Sequence, residues 1–253
     1  MTILAYTENS IPGTVAERLQ LAARENLALE VANEGNFPME LYRDYQIVSV
    51  IAYRMHDFHP IHSDRTRRDQ AFPHVRETIE IAALLNVPRI VTVCGFGYEL
   101  ADRPFERCLD FFSSLAPQAK AAGVKIMIEP LSPLRVGVMT DPEEIARLID
   151  MLNEPSVFSI MLDTGHLVDS GIELNSFFAN WQRPVEEIQL KGPRSSPPSP
   201  TMPVKQWLEA LPQPPAAISP EHRQPTTVED LVHLVGVLRN QLVGWVEVRN
   251  PTN

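Results

Sequence analysis

Val124-Lys125-Ile126-Met127-Ile128-Glu129, Val157-Phe158-Ser159-Ile160-Met161-Leu162-Asp163 and Ala216-Ala217-Ile218-Ser219-Pro220-Glu221 are three short apolar runs that each close on a carboxylate. Each reads as a β-strand of the kind buried on both faces, which gives a near-continuous apolar run rather than an alternating one. A carboxylate at the C-terminal end of a buried parallel strand is costly to desolvate, so it usually has a metal or a reaction to serve. A fourth run lies between the last two, Val185-Glu186-Glu187-Ile188-Gln189-Leu190-Lys191. Its comparable position is Gln189, a neutral amide among acids.

Working outward, strand-like runs alternate with helical patterns from end to end. Ile3–Tyr6 precedes a helical stretch over Thr14–Glu25, whose Val15, Leu19 and Ala22 recur at helical spacing. Leu27–Val31 and Ile47–Tyr53 are the next strands. Val75–Leu85 is predicted as a helix, Arg89–Gly95 as a β-branched strand and 105–122 as a helix stopped by Gly123. Asp141 followed by Pro142, Glu143 and Glu144 supplies an N-cap, a first-turn proline and first-turn acids for a helix to about Leu152. Leu231–Leu242 is the last clear helix. Eight strand candidates with helices between most of them predict an α/β chain, a single (β/α)8 TIM barrel over residues 1–253. A doubly wound open sheet is the alternative, but no GxGxxG opens the first helix. Gly192–Pro215 is dense in proline and reads as a long loop after strand seven, with Val204–Leu211 as a short helix inside it. The apolar tail Leu242–Val248 reads as an extra strand or a packed terminal segment.

A chain of 253 residues with a net charge of −10 has little to offer a phosphate-coated partner, so nucleic acid is not expected. No apolar run approaches the roughly 20 residues that span a bilayer, so no membrane partner is expected. The first residues carry no basic segment before their apolar stretch and do not read as a signal peptide. Cys94 and Cys108 form no CxxC motif, which suits a reducing cytoplasm. The expected partner is a small-molecule substrate, with a homo-oligomer possible through exposed barrel helices.

Ile128-Glu129-Pro130-Leu131-Ser132, Leu162-Asp163-Thr164-Gly165-His166, Gln189-Leu190-Lys191 and Ile218-Ser219-Pro220-Glu221 follow one another in this order. The set resembles the xylose isomerase-like TIM-barrel superfamily, especially its sugar-phosphate isomerase and epimerase branch. The resemblance implies a divalent cation held by Glu129, Asp163, Gln189 and Glu221. The oxygen-rich donor set favours Mn²⁺ or Mg²⁺, with Zn²⁺ or Co²⁺ possible. It also implies that Glu129 and Glu221 move a proton to and from the carbon beside a carbonyl, and that His166 contacts substrate. Three positions depart from the family's pattern. Gln189 replaces a metal-binding histidine, and Gly192 stands where an aspartate often follows the lysine. Arg135 replaces the glutamate that ketose epimerases carry six residues after the strand-five acid. The last change disfavours a typical ketose 3-epimerase and suits a carboxylate or phosphate on the substrate. Endonuclease IV shares the superfamily, but its histidine-rich trinuclear zinc site and DNA substrate do not suit this chain.

Other residues carry two readings each. Asp163 could cap the following turn, since Asp-Thr-Gly is good turn chemistry. Lys191 could contact an anionic substrate or be a solvated strand-end lysine. Glu30 sits inside strand two, either binding substrate or pairing with a barrel-core cation. His56, His59 and His62 are spaced by three, but Pro60 breaks any helix that would align them. His56, nearest the strand end, is the candidate for substrate contact. The sum predicts a metal-dependent isomerase or epimerase of a small sugar, sugar acid or polyol. The alternatives are a dehydratase on the same fold and a barrel that has lost catalysis and only binds.

Overall fold

The structure, a computed structural model, describes residues 2–244. The predicted strand or packed segment at Leu242–Val248 therefore lies mostly outside the described residues. Eight strands close into a barrel in chain order, and every neighbouring pair with an assigned register runs parallel. They are β1 (Ile3–Thr7), β2 (Ala28–Ala32), β3 (Ile47–Ile51), β4 (Arg89–Val93), β5 (Lys125–Glu129), β6 (Phe158–Asp163), β7 (Val185–Leu190) and β8 (Ala217–Pro220). The helices are α1 (Val15–Arg24), α2 (Arg65–Leu84), α3 (Pro104–Ala122), α4 (Pro142–Leu152), α5 (Thr164–Asp169), α6 (Leu174–Asn180), α7 (Val204–Ala210) and α8 (Val228–Gln241). The (β/α)8 expectation holds.

The chain divides into two compact units. One comprises Met1–Val31, Asp44–Val48 and Asp163–Asn253. Its inner floor is made of small side chains, Ala5, Ala28 and Ala217, packed with Val48 and Ile3. The strand period of two then carries the same inner face upward to Thr7, Glu30 and Ser219, two residues further along β1, β2 and β8. On β7 the same period sets Glu187, Gln189 and Lys191 in one row. Pro220 ends β8 opposite Leu190 and has no N–H to give. The next residue supplies the bond instead, Glu221 N donating to Leu190 O at 3.0 Å, so the ladder holds up to the candidate acid.

The other unit comprises Ala32–Arg43 and Ser49–Leu162. Val91, Met127 and Met161 pack together with Ile51. Met127 and Met161 each lie two residues before the acid that ends the strand, so Glu129 continues the inward row of β5.

Caps set most helix starts. Thr14 and Glu17 form a reciprocal capping box on α1, as do Thr227 and Asp230 on α8. Asp141 caps α4 as expected. Two differences from expectation have physical causes. α2 begins at Arg65, ten residues before the predicted Val75, because Asp64 caps it and its first turns are exposed and charged, without apolar periodicity. α5 and α6 are too short for that periodicity to register, and acidic side chains start both, Asp163 and Glu173.

Candidate active site

Asp163 ends β6 and caps α5 with the same carboxylate. Its Oδ1 accepts the backbone N–H of Gly165 at 2.7 Å and of His166 at 3.0 Å. Its Oδ2 faces Lys191 Nζ at 2.5 Å. The same ammonium forms an ion pair with Glu221 Oε2. Lys191 is only 3% exposed, which places it inside the protein and not in solvent at a strand end. The capping reading of Asp163 and a charge-pairing role thus coexist, one on each oxygen.

The Leu-Asp-Thr-Gly-His motif builds this arrangement residue by residue. Thr164 Oγ1 donates to Lys191 O and accepts from Lys191 N, both at 2.8 Å. Gly165 leaves room for the lysine stem: a Cβ there would lie 2.8 Å from Lys191 Cγ, 2.9 Å from Cδ and 2.7 Å from Gly192 O. Gly192, the departure from the family's aspartate, is also sterically required. A Cβ there would collide with Ser196 Oγ and lie 2.9 Å from Pro197 O, where the proline-rich loop folds back and Gly192 N donates to Ser196 O at 2.9 Å.

Gln189 is tied below this group. Its Nε2 donates to Glu30 Oε1 at 2.7 Å, and Thr7 Oγ1 donates to the same oxygen at 2.6 Å. Gln189 Oε1 is buried without a hydrogen-bond partner among the described residues. Glu30 is fully buried, and that burial, followed by the neighbouring Glu187 carboxylate, holds its pKa well above the ordinary range. Ser219 Oγ reaches Glu187 at 3.3 Å. Glu30 is therefore anchored by neutral donors on β1 and β7.

Asp163 and His166, both buried, each offer a ligand atom for a metal. A carboxylate and an imidazole suit Mn²⁺, Zn²⁺ or Co²⁺. The partnerless amide oxygen of Gln189 is a further neutral donor of the kind a hard cation takes. The residues present therefore fit a divalent cation, with Lys191 already against Asp163 and Glu221.

His222, directly after Glu221, was not singled out in the sequence. Its Nδ1 meets the carbonyl oxygen of Gln224 at 2.8 Å and its Nε2 meets the hydroxyl of Tyr6 at 3.0 Å. A carbonyl only accepts, so Nδ1 carries the proton and Nε2 accepts from Tyr6. Burial lowers the His222 pKa and raises that of Tyr6, which keeps both neutral. Ser10 clamps the backbone beside them, donating to His222 O at 2.8 Å and accepting from His222 N at 2.9 Å. Glu187 and Thr7 were also passed over. The period of two along β7 is the signal that would have set Glu187 beside Gln189.

The remaining candidates sit in loops. His56 is exposed, with Nδ1 donating to Tyr53 O at 2.7 Å and Nε2 3.5 Å from Asp57 Oδ1. His59 is the member of the histidine triplet that turns inside, and burial pushes its pKa down to about 4. Arg135 is half-buried on the loop after β5, where its carbonyl accepts from Gly97 N at 2.7 Å. That bond joins the loops following β4 and β5.

A closed parallel barrel with acids at its strand ends defines a class, and the comparisons agree with it. The profile of the xylose isomerase-like TIM barrel matches residues 21–201, and the chain belongs to that family. No curated protein sequence matches it. Among solved structures it is similar to the IOLI protein with a binding zinc atom, with a TM-score of 0.76 at 14% identity over 98% of this chain and 100% of that one. It is also similar to the 3-keto-D-glucoside 4-epimerase YcjR of E. coli, with a TM-score of 0.74 at 11% identity over 96% and 100%. A D-tagatose 3-epimerase-like protein gives 0.73 at 18% over 96% and 97%. At these identities the likeness is one of fold.

Proposed function

We propose that the chain is an isomerase or epimerase of a small sugar, sugar acid or polyol that moves a proton at the carbon beside a carbonyl. The observation that carries this reading is the set of acids at strand ends, with Glu129 closing β5, Asp163 closing β6 and Glu221 following β8. Glu129 and Glu221 are the proton-moving pair, each a carboxylate held at a rigid strand end rather than on a free loop. Asp163, fixed by two backbone N–H groups, and His166 on the first turn of α5 orient the substrate's oxygens. Glu30 and Gln189 bind neutral hydroxyls from below, and Arg135 and His56 are the groups for an anionic substituent. A divalent cation, Mn²⁺ or Mg²⁺ by preference, would be held by Glu129, Asp163, Glu221 and either His166 or Gln189, and would polarise the carbonyl. The names of the similar proteins, sugar epimerases among them, support the substrate class. Two unpaired, buried cysteines support a cytoplasmic setting. Among the described residues no helix is long and apolar enough to cross a membrane.

The test is a panel of ketoses, aldoses and keto acids incubated in D₂O, with products read by NMR and mass. Isomerisation or epimerisation with deuterium entering beside the carbonyl is expected. Glu129→Gln and Glu221→Gln should each lower turnover by about 10²–10⁴-fold. A product lighter by one water would instead identify a dehydratase. Retained turnover in either variant refutes the assigned roles.

A further inference from the structure

Lys191 stands where Asp163 and Glu221 would share a cation. Oδ1 of Asp163 already accepts two backbone N–H bonds, which leaves Oδ2 as its oxygen for a cation, and Oδ2 faces the lysine ammonium at 2.5 Å. The same Nζ reaches Glu221 Oε2. Oxygen ligands surround a hard divalent cation at roughly 2.0–2.6 Å, so the ammonium already stands as close to these two oxygens as a cation they held would stand. The lysine's backbone and stem are held so that its ammonium is directed into that space. Thr164 clamps its backbone at both N–H and carbonyl, and its stem passes over Gly165 where not even a methyl group would fit. Three consecutive residues, Asp163, Thr164 and Gly165, thus hold its ammonium, its backbone and its stem.

We propose that Lys191 is the resident cation of the Asp163–Glu221 cradle and competes with a divalent metal for it, so that the metal binds there only when the lysine leaves. The inference deepens the metal part of the reading above and rests on it for the identity of the cation site. It gives the chain a charge-balanced site without metal and sets a weak metal affinity. It also accounts for the tolerance of Gln189 in place of a stronger ligand, since the lysine and not the metal neutralises the neighbouring acids.

The test is calorimetric titration of Mn²⁺ into the full chain, wild type against Lys191→Met, which keeps the stem and removes the charge. Mn²⁺ should bind Lys191→Met more tightly by on the order of 10- to 100-fold, the range by which groups around a metal change its affinity. Asp163→Asn added to Lys191→Met should abolish the gain, and Lys191→Arg, which keeps the charge, should stay near wild-type affinity. Equal or weaker binding in Lys191→Met overturns the proposal, as does a gain that survives Asp163→Asn or appears in Lys191→Arg. If Lys191→Met does not fold alone, refolding in Mn²⁺ followed by circular dichroism decides: recovery supports the competition, and failure to recover counts against it. These readouts are binding and folding. An inert wild type with a tightened Lys191→Met would sink the proposed activity alone, and an active wild type without tightening would sink the competition alone.

Discussion

Gly165→Ala offers a sharp check on how the lysine is housed. The added Cβ would meet Gly192 O at 2.7 Å and Lys191 Cγ and Cδ at 2.8 and 2.9 Å, all closer than ordinary contacts. The carbonyl belongs to a backbone pinned by the Gly192–Ser196 bond, and the lysine stem is held at both ends, so neither neighbour yields cheaply. Overpacking of this kind costs about 1–3 kcal/mol, and the pinned neighbours argue for the upper end. Against that stands the intrinsic gain of alanine over glycine in a helix, about 1 kcal/mol. The net expectation is a loss of about 2 kcal/mol, or a melting point lower by about 4–8 °C in a domain of this size. Gly236 in α8 is the control, because nothing lies within 4 Å of a Cβ built there. Gly236→Ala should therefore be neutral or stabilising by up to about 1 kcal/mol. Urea unfolding and thermal melting of both variants measure the contrast. If Gly165→Ala matches wild type, or if Gly236→Ala falls equally, the steric account of the lysine channel is wrong.

Two predictions concern pH. His59 and His74 are buried, and burial holds both near 4, below the ordinary 6.5. Their folded pKa values lie below the unfolded ones, so their contribution is present above pH 6.5 and is lost as pH falls toward 4. At pH 5 each should have lost about 2 kcal/mol of stability, and His74→Gln should remove about that much of the loss between pH 7 and 5 in urea unfolding. An unchanged loss in that variant rules out the assignment. Glu30 is the opposite case. Its folded pKa is raised by burial and by Glu187, so its contribution is full below the ordinary glutamate range and shrinks as pH rises toward the folded value. Glu30→Gln, a neutral mimic of the protonated acid, should flatten this alkaline decline in stability. A slope identical to wild type would show that Glu30 does not titrate as its surroundings require.

Much of the architecture was legible in the chain because parallel barrel strands are buried on both faces and announce themselves as short apolar runs. β5 and β6 were found with their terminal acids in place and β8 with its acid one residue past its end, and the cap at Asp141 located α4 to the residue. The front of α2 escaped because its first turns are exposed and charged, and α5 and α6 because they lack enough turns for an apolar stripe to repeat. Of the histidine triplet, order along the chain favoured His56, whereas packing turned His59 inward and left His56 exposed.

By itself the sequence determined the class of fold and the row of acids at the strand ends, since both follow from local periodicity and from where each run stops. Only the tertiary structure decided how those acids are partnered. Lys191 lies 28 residues after Asp163 and 30 before Glu221 in the numbering, and no local pattern links the three. The fold brings Asp163, Lys191 and Glu221 together and sends the lysine stem over Gly165, turning a lysine read as either a substrate contact or a solvated strand-end group into the buried cation between two carboxylates. The tie of Gln189 to Glu30 arises the same way. A side chain's charge is written in its residue type, but the charge it meets is set by which strands the closed sheet makes neighbours.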